Sequence, residues 1–122
     1  MMKQNKLKIF ITGSDGFIGK HLSNYLQNEY NLLTPSKKKL NLNRINLLRS
    51  YLEDNQPDII LHLASSTKFK KNIKKERKNQ NLNTYNVTKN LVNCLNLNCK
   101  LIIFFGTIEE YGNIRKPFKE TQ

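Results

Sequence analysis

Residues 6–22, which read KLKIFITGSDGFIGKHL, decide how the rest of this chain is interpreted. A short run of β-branched and aromatic residues leads directly into a Gly-x-x-Gly-x-x-Gly turn, and an amphipathic helical pattern follows the turn. A strand, a glycine turn and a helix in this order are the context that a dinucleotide-binding fingerprint requires. The sequence therefore predicts a nucleotide site here, although the same glycines could also form a plain strand-to-helix turn that binds nothing.

Each glycine of the turn has its own role in this prediction. Gly13 would let the backbone leave the strand in a tight turn, Gly16 would let it approach a pyrophosphate, and Gly19 would let the helix pack close to the sheet. The pyrophosphate would lie over free N–H groups at a helix N-terminus, which carries about half a positive charge. The predicted cofactor-binding residues of the turn are Gly13, Ser14, Asp15, Gly16, Phe17, Ile18 and Gly19.

The composition limits the class of protein. A chain of 122 residues provides at most one domain with one modest core. A net charge of +12 would suit nucleic acid, but the lysines are spread over every segment and no aromatic residues interleave with the basic run. We therefore expect only weak, non-specific binding of polyanions.

The sequence indicates no metal site, no signal peptide and no membrane span. Cys94 and Cys99 lie too far apart for a Cys-x-x-Cys site and have no partner cluster, so we expect free thiols and no metal. The first apolar run is too short for a signal peptide, and no segment has the length of a membrane span. The sequence predicts a cytoplasmic protein that does not bind membranes.

Strand and helix patterns alternate along the chain. The predicted strands are residues 7–12, 31–34, 40–42, 59–64 and 101–105, and the predicted helices are residues 17–28, 44–54 and 79–96. The apolar faces expected to point inward are Phe17, Ile18, Leu22, Tyr25 and Leu26, then Ile45, Leu47, Leu48 and Leu52, then Leu82, Tyr85, Leu91, Val92 and Leu95. Repeated strand–helix–strand units predict an α/β fold, a Rossmann-type doubly wound parallel sheet of about five strands in the order 3-2-1-4-5.

The segment after the second strand bears on the choice of cofactor. An acidic residue there favours NAD, but the candidate positions hold Thr34, Pro35 and Ser36, and three lysines follow. A hydroxyl and a lysine, Ser36 and Lys37, would suit a 2′-phosphate. NAD and NADP both remain candidates, with NADP slightly favoured, and the lysines could equally be ordinary surface residues.

The glycine turn closely resembles the opening of the extended short-chain dehydrogenase/reductases, the nucleotide-sugar epimerase and dehydratase family. Further along, Asn41-Leu42 stands where that family has Asp and an aliphatic residue beside the adenine. Leu63-Ala64-Ser65 resembles the family's His-Leu-Ala-Ala segment, whose small residues line the cofactor, and His62 is read as a strand residue and not as a catalyst. Residues 106–112, GTIEEYG, resemble the family's second signature, in which Thr107 matches a hydroxyl that binds the substrate sugar.

This resemblance implies NAD(P)-dependent epimerisation, dehydration or reduction of a nucleotide-linked sugar. The family's catalytic Tyr-x-x-x-Lys pair would fall beyond Gln122, which leaves Thr107 as the only candidate catalytic residue. Tyr85-x-x-x-Lys89 precedes Thr107, and we interpret it as a coincidence of spacing.

The resemblance also sets the expected extent of the domain. Residues 1–122 would form a single truncated NAD(P)-binding Rossmann domain without the catalytic helix or the C-terminal substrate domain. Such a chain would be incomplete as a catalyst; the alternative is a cofactor-binding or interaction remnant without enzymatic activity. The strand at 101–105 and one face of the last helix would be uncovered, so we expect self-association or a homodimer.

Overall fold

The structure, a computed structural model, describes residues 5–65, 73–96 and 98–106. Their elements alternate as the sequence predicts, and each lies within a few residues of its expected bounds, except that the last helix begins at Ile73 and not at residue 79. The elements in chain order are β1 (Lys8–Thr12), α1 (Phe17–Leu26), β2 (Asn31–Leu33), α2 (Ile45–Asn55), β3 (Ile59–His62), α3 (Ile73–Asn93) and β4 (Leu101–Phe104).

The four strands form one parallel sheet in the order β2-β1-β3-β4. β1 lies at the centre, where Phe10 pairs with Leu33 of β2 on one side and with Ile60 of β3 on the other. This confirms the Rossmann-type parallel fold and the predicted neighbours of these four strands.

The predicted strand at residues 40–42 is wrong. The Lys39 and Leu40 N–H groups both donate to the Ser36 carbonyl oxygen at 2.9 Å, and the Asn43 N–H donates to Asn41 Oδ1 at 3.0 Å. These local turns use backbone groups that a strand would offer to a neighbour, and Leu40 is instead buried in the core. The described sheet therefore has four strands, not about five.

Helices cover both faces of the sheet. Alternate residues of each central strand point to opposite sides, as the two-residue period of a strand requires. One core, packed by α2 and α3, contains Phe10, Leu40, Leu48, Leu52, Ile60, Leu91 and Cys94. The other, packed by α1, contains Ile9, Ile11 and Leu61, with Leu22 and Leu26 against them.

Several side chains expected to point inward are exposed. On α1 the only buried residue is Gly19, which lies against the glycine turn, and Phe17 and Tyr25 are 79% and 81% exposed. On α3 the buried residues are Val87 and Leu91, and Cys94, directly after the helix, continues the same face at a spacing of four and three residues. The exposed members of the predicted faces are Phe17, Ile18, Tyr25, Leu47, Leu82, Tyr85 and Val92.

β4 is the edge of the described sheet, next to β3. The continuous apolar sequence favours a strand buried on both faces, yet Leu101, Ile103 and Phe104 are exposed and only Ile102 packs against the core. Within the described residues, this exposure agrees with the expectation that the strand presents an apolar edge.

Candidate nucleotide-binding site

The glycine turn joins the carboxyl end of β1 to α1 and touches the end of β3. Gly13 has φ +72°, a conformation that side chains with a Cβ rarely adopt. A Cβ at this position would also lie 2.9 Å from Ala64 N and 3.0 Å from Ala64 Cα. Both the backbone angle and the neighbour therefore require glycine at residue 13.

Gly16 and Gly19 differ in what surrounds them. A Cβ on Gly19 would lie 2.7 Å from Ser14 Cα and closer still to the Gly13 carbonyl oxygen, so glycine is needed for α1 to begin against its own turn. A Cβ on Gly16 would meet only the Gly13 carbonyl oxygen, at 3.3 Å, and Gly16 is exposed. The backbone at Gly16 is therefore open to an approaching ligand.

The N-terminus of α1 has the character of an anion site. Gly16 is its N-cap residue, and no side chain caps the helix. The first N–H groups of a helix have no intrahelical acceptor, and here no acidic residue occupies the first turn. A phosphate group would satisfy these donors and interact favourably with the helix dipole.

The remaining turn residues divide into one buried and three exposed side chains. Ser14 is buried beneath the turn, and Asp15, Phe17 and Ile18 are exposed. The Phe17 ring contacts the His21 ring with centroids 4.6 Å apart. The exposed side chains thus flank the open backbone at Gly16.

A polar depression of about 300 Å³ lies beside the turn, where β1 and β2 end. The sequence prediction did not include three of its lining residues, Lys20, Ser23 and Asn24. Their helical spacing, which places them on one side of α1, is the signal that could have indicated them. Lys20 brings a positive charge to the depression. Its lining residues are Ser14, Asp15, Lys20, Ser23, Asn24 and Thr34.

Ser36 and Lys37, proposed from the sequence as 2′-phosphate ligands, do not line this depression. The Ser36 carbonyl oxygen closes the turn that leads to Leu40, and the Lys37 side chain is exposed. Thr34, directly after β2, is the residue of this segment that reaches the depression.

Leu42 and Asn43, which follow Asn41, are held in place from α3. Asn90 Nδ2 donates to the Leu42 carbonyl oxygen at 2.9 Å, and Asn43 Nδ2 donates to Asn83 Oδ1 at 3.0 Å. Asn41 Oδ1 already accepts the Asn43 N–H. A carbonyl oxygen has two lone pairs, so Asn41 can still accept one hydrogen bond from a ligand.

The end of β3 lies against the glycine turn. The Leu63 and Ala64 N–H groups both donate to the Thr12 hydroxyl at 3.2 Å, and Ser65 is exposed beyond them. His62 is buried in β3, and burial lowers the pKa of its imidazole. Gly13, Leu63 and Ala64 therefore lie together on one side of the candidate site, where Thr12 holds Leu63 and Ala64 by hydrogen bonds.

Among the described residues no helix is long and apolar enough to cross a membrane. The same part of the chain contains no group of three or more His, Cys, Asp or Glu side chains arranged to hold a metal ion.

The family model of the NAD dependent epimerase/dehydratase family matches residues 9–122. The chain belongs to this family. A curated relative, dTDP-D-glucose 4,6-dehydratase of Dictyostelium discoideum, is 32% identical over 87% of this chain and 30% of its own length. The chain spans 19% and 30% of the lengths of the curated relatives it matches.

Solved structures show the same family fold. A GDP-6-OMe-4-keto-L-xylo-heptose reductase from C. jejuni aligns with a TM-score of 0.85 at 24% identity, covering 98% of this chain and 35% of that chain. The GDP-mannoheptose C4 reductase MlghC from Campylobacter jejuni, solved with NADP bound, aligns with a TM-score of 0.76 at 26% identity, covering 98% of this chain and 39% of that chain.

In this epimerase/dehydratase family chain, the resemblance links Thr107 alone to catalysis, and Tyr85-x-x-x-Lys89 is interpreted as a coincidence of spacing. Thr107 lies outside the described residues. Tyr85 and Lys89 are exposed on α3, with Lys89 Nζ 5.9 Å from the centroid of the Tyr85 ring. Beside them an apolar surface depression of about 340 Å³ is lined by Thr84, Tyr85, Thr88, Lys89, Val92 and Asn93.

Proposed function

We propose that this chain binds NAD(P) across the Gly13–Gly19 turn. The observation that carries the proposal is the difference in surroundings among the three glycines. Gly13 and Gly19 have no room for a Cβ, whereas Gly16 is exposed and leaves the backbone open at an uncapped helix N-terminus. Of the three positions, residue 16 is the one where the fold itself requires glycine least, since a Cβ there would meet one atom at 3.3 Å.

The residues around the turn fit the parts of a dinucleotide. The pyrophosphate would lie over the first turn of α1, and the adenosine half would extend along the polar depression towards Asn41 and Leu42. Leu63, Ala64 and Ser65 would line the other half, at the end of β3. A bound nicotinamide would supply the hydride acceptor and donor for family chemistry.

A valine at Gly16 tests the proposal most sharply. Gly16 has φ −76°, so Gly16→Val should fold with little backbone strain, yet its side chain would cover the position of the pyrophosphate. We expect calorimetry to show weak binding of NADPH by the wild-type chain and none by this variant. A valine at Gly19 would not serve, because it collides with the turn itself.

The matched control is Ser50→Val, at an exposed position of α2 away from the glycine turn. It should fold and bind as the wild type does. Equal affinity of wild type and Gly16→Val for NADPH would remove the proposal.

We further propose a preference for NADP over NAD. No acidic residue stands at Thr34, Pro35 or Ser36 to accept the 2′-hydroxyl of NAD. Two cationic candidates are present, Lys37 in the loop after β2 and Lys20 in the depression.

Calorimetry at matched ionic strength should give a lower Kd for NADP than for NAD, since a charge of +12 attracts any anion at low salt. Lys20→Gln and Lys37→Gln identify the cation that contributes: the variant at that site should weaken NADP binding and leave NAD binding unchanged. A lower Kd for NAD would contradict the preference.

For the reaction, we propose that the substrate class is a nucleotide-linked sugar and that residues 1–122 alone do not turn it over. The relatives named above support the substrate class. The sequence after Thr107 contains no Tyr-x-x-x-Lys, and general acid–base catalysis contributes about a hundred- to ten-thousand-fold to rate. NADPH oxidation in the presence of a nucleotide 4-keto sugar, lost in Thr107→Ala, would contradict this and would favour a complete enzyme over a binding or interaction remnant.

A further inference from the structure

Three buried or partly buried polar side chains form a continuous line from β1 to α3, here termed the Thr12–His62–Thr88 network. Thr12 Oγ1 lies 2.7 Å from His62 Nδ1, and His62 Nε2 lies 2.9 Å from Thr88 Oγ1. Thr12 and His62 are buried, and Thr88 is half-buried. The network therefore joins three elements of the fold immediately behind the glycine turn.

The hydrogen-bond pattern determines where the protons lie. A threonine hydroxyl has one donor and two acceptor positions, and Thr12 Oγ1 accepts the Leu63 and Ala64 N–H groups, both at 3.2 Å. Its own proton must then be donated to His62 Nδ1. The neutral imidazole consequently carries its proton on Nε2 and donates it to Thr88 Oγ1.

The backbone that Thr12 holds is the part of β3 in contact with the glycine turn. The Leu63 N–H also reaches the Thr12 carbonyl oxygen at 3.2 Å, whereas the acceptor of the Ala64 N–H is the Thr12 hydroxyl. Ala64 N is also the atom that a Cβ on Gly13 would approach at 2.9 Å. The orientation of the Thr12 hydroxyl thus sets how Ala64 lies against Gly13.

We propose that His62 and Thr88 are positioning residues of the nucleotide site, which hold the Thr12 hydroxyl and thereby the Ala64 backbone in the arrangement that a bound dinucleotide contacts. This inference rests on the proposed NAD(P) binding, because neither side chain needs to touch the ligand itself. α3 then contributes to both ends of the site, through Thr88 behind β3 and through Asn90 behind Leu42.

The first test uses the unmodified chain. ¹⁵N NMR of the histidine rings should show His62 as the neutral form with its proton on Nε2. A proton on Nδ1 would overturn the inference, because Thr12 could not then hold both backbone amides. Because this measurement uses the wild-type chain, it can overturn the proposal even if the variants do not fold.

The second test is Thr88→Val, which keeps the shape of the side chain and removes the acceptor. We expect faster hydrogen exchange of the Ala64 amide and a Kd for NADPH raised about two- to tenfold, the range that one lost hydrogen bond gives. Thr88→Ser, which restores a hydroxyl, should restore both. Asn93→Ala is the control, because Asn93 is exposed and lines the apolar depression that Thr88 also lines. It should change neither the exchange rate of the Ala64 amide nor the Kd for NADPH.

The outcomes separate this inference from the proposed function. No binding of NADPH by the wild-type chain would count against the proposed function, and the Ala64 exchange rate would still test the network. Unchanged exchange in Thr88→Val would overturn the network's role. Faster exchange with an unchanged Kd for NADPH would show that the network supports the fold and not the site.

Discussion

At the scale of single residues, the same residue type serves three physical purposes within one turn. Gly13 relieves backbone strain at a positive φ, Gly19 relieves a collision between α1 and the turn, and Gly16 relieves neither. A Cβ at Gly16 would meet one close neighbour, the Gly13 carbonyl oxygen at 3.3 Å, so the structural need for glycine is weakest there and a functional need is easiest to recognise. The spacing of three glycines in the sequence could not separate these roles, because the separation depends on which atoms lie nearby.

His62 leads to a prediction about stability and pH. Burial lowers the pKa of His62 in the folded chain below that of the unfolded chain, and the groups facing its ring are the Thr12 and Thr88 hydroxyls and the edge-on Phe104 ring. Below about pH 6.5 the unfolded state takes up the proton first. The free energy of unfolding should therefore fall as the pH is lowered through this window, by at most about 1.4 kcal/mol per pH unit.

Urea unfolding from pH 7.5 to pH 5.5 checks this. His62→Gln should lose this part of the pH dependence, and His21→Gln, which alters an exposed histidine, should retain it. The expectation would fail if the difference in unfolding free energy between wild type and His62→Gln were constant over that range.

At the scale of elements, Asp58 joins the amino ends of three strands. Its carboxylate accepts the Lys8 backbone N–H at 2.8 Å, and Lys100 Nζ lies 3.5 Å from the other oxygen. Its own backbone N–H donates to the Lys8 carbonyl oxygen, and its carbonyl oxygen accepts the Lys100 N–H. β1, β3 and β4 thus meet at one side chain, at the end of the sheet opposite the nucleotide site.

Asp58→Ala should lower the free energy of unfolding by about 1 kcal/mol at neutral pH, the net value of one hydrogen bond, because the exposed ion pair adds little. The Lys8 hydrogen bond first, and the Lys100 charge with it, hold the pKa of Asp58 below its usual value. The stabilisation is therefore present above the unfolded-state pKa and lost as the pH falls through the folded one. Urea unfolding measures this, with Asp54→Ala, an exposed carboxylate of α2, as the control; equal losses in the two variants would contradict it.

Elements with strong patterns were predictable, and the buried faces of the helices were predictable only in part: Leu48, Leu52 and Leu91 are buried as expected. The apolar runs at 7–12 and 59–64, with the glycine turn and the alternating helices, indicated a parallel sheet, because strands buried on both faces are typical of parallel sheets covered by helices. On α3, by contrast, Leu91 and Val92 are both apolar, but neighbouring helix positions point about 100° apart, so only one can face the sheet. The sequence also could not show that Leu40 packs into the core from a turn, or that Lys20 and Thr34 meet at one depression, because these contacts depend on tertiary structure.

At the scale of the whole molecule, the described surface carries exposed apolar side chains on α3 and on the edge strand β4. The outer face of α3 exposes Leu82, Tyr85 and Val92 at 56%, 61% and 49%. The edge strand β4 adds Leu101, Ile103 and Phe104, and Phe105 follows it. Exposed apolar surface and open sheet edges are where protein chains associate.

We therefore expect this chain to self-associate, with the outer face of α3 as a principal contact. Sedimentation velocity should show a sedimentation coefficient that rises with protein concentration. Leu82→Gln combined with Val92→Gln should shift the distribution towards monomer without lowering the free energy of unfolding, since neither side chain belongs to the core. Leu47→Gln removes an equally exposed apolar side chain from α2 and should leave association unchanged. A wild-type chain that stays monomeric at every concentration would contradict the expected self-association. Equal effects of Leu47→Gln and of the two α3 substitutions would show that association is non-specific.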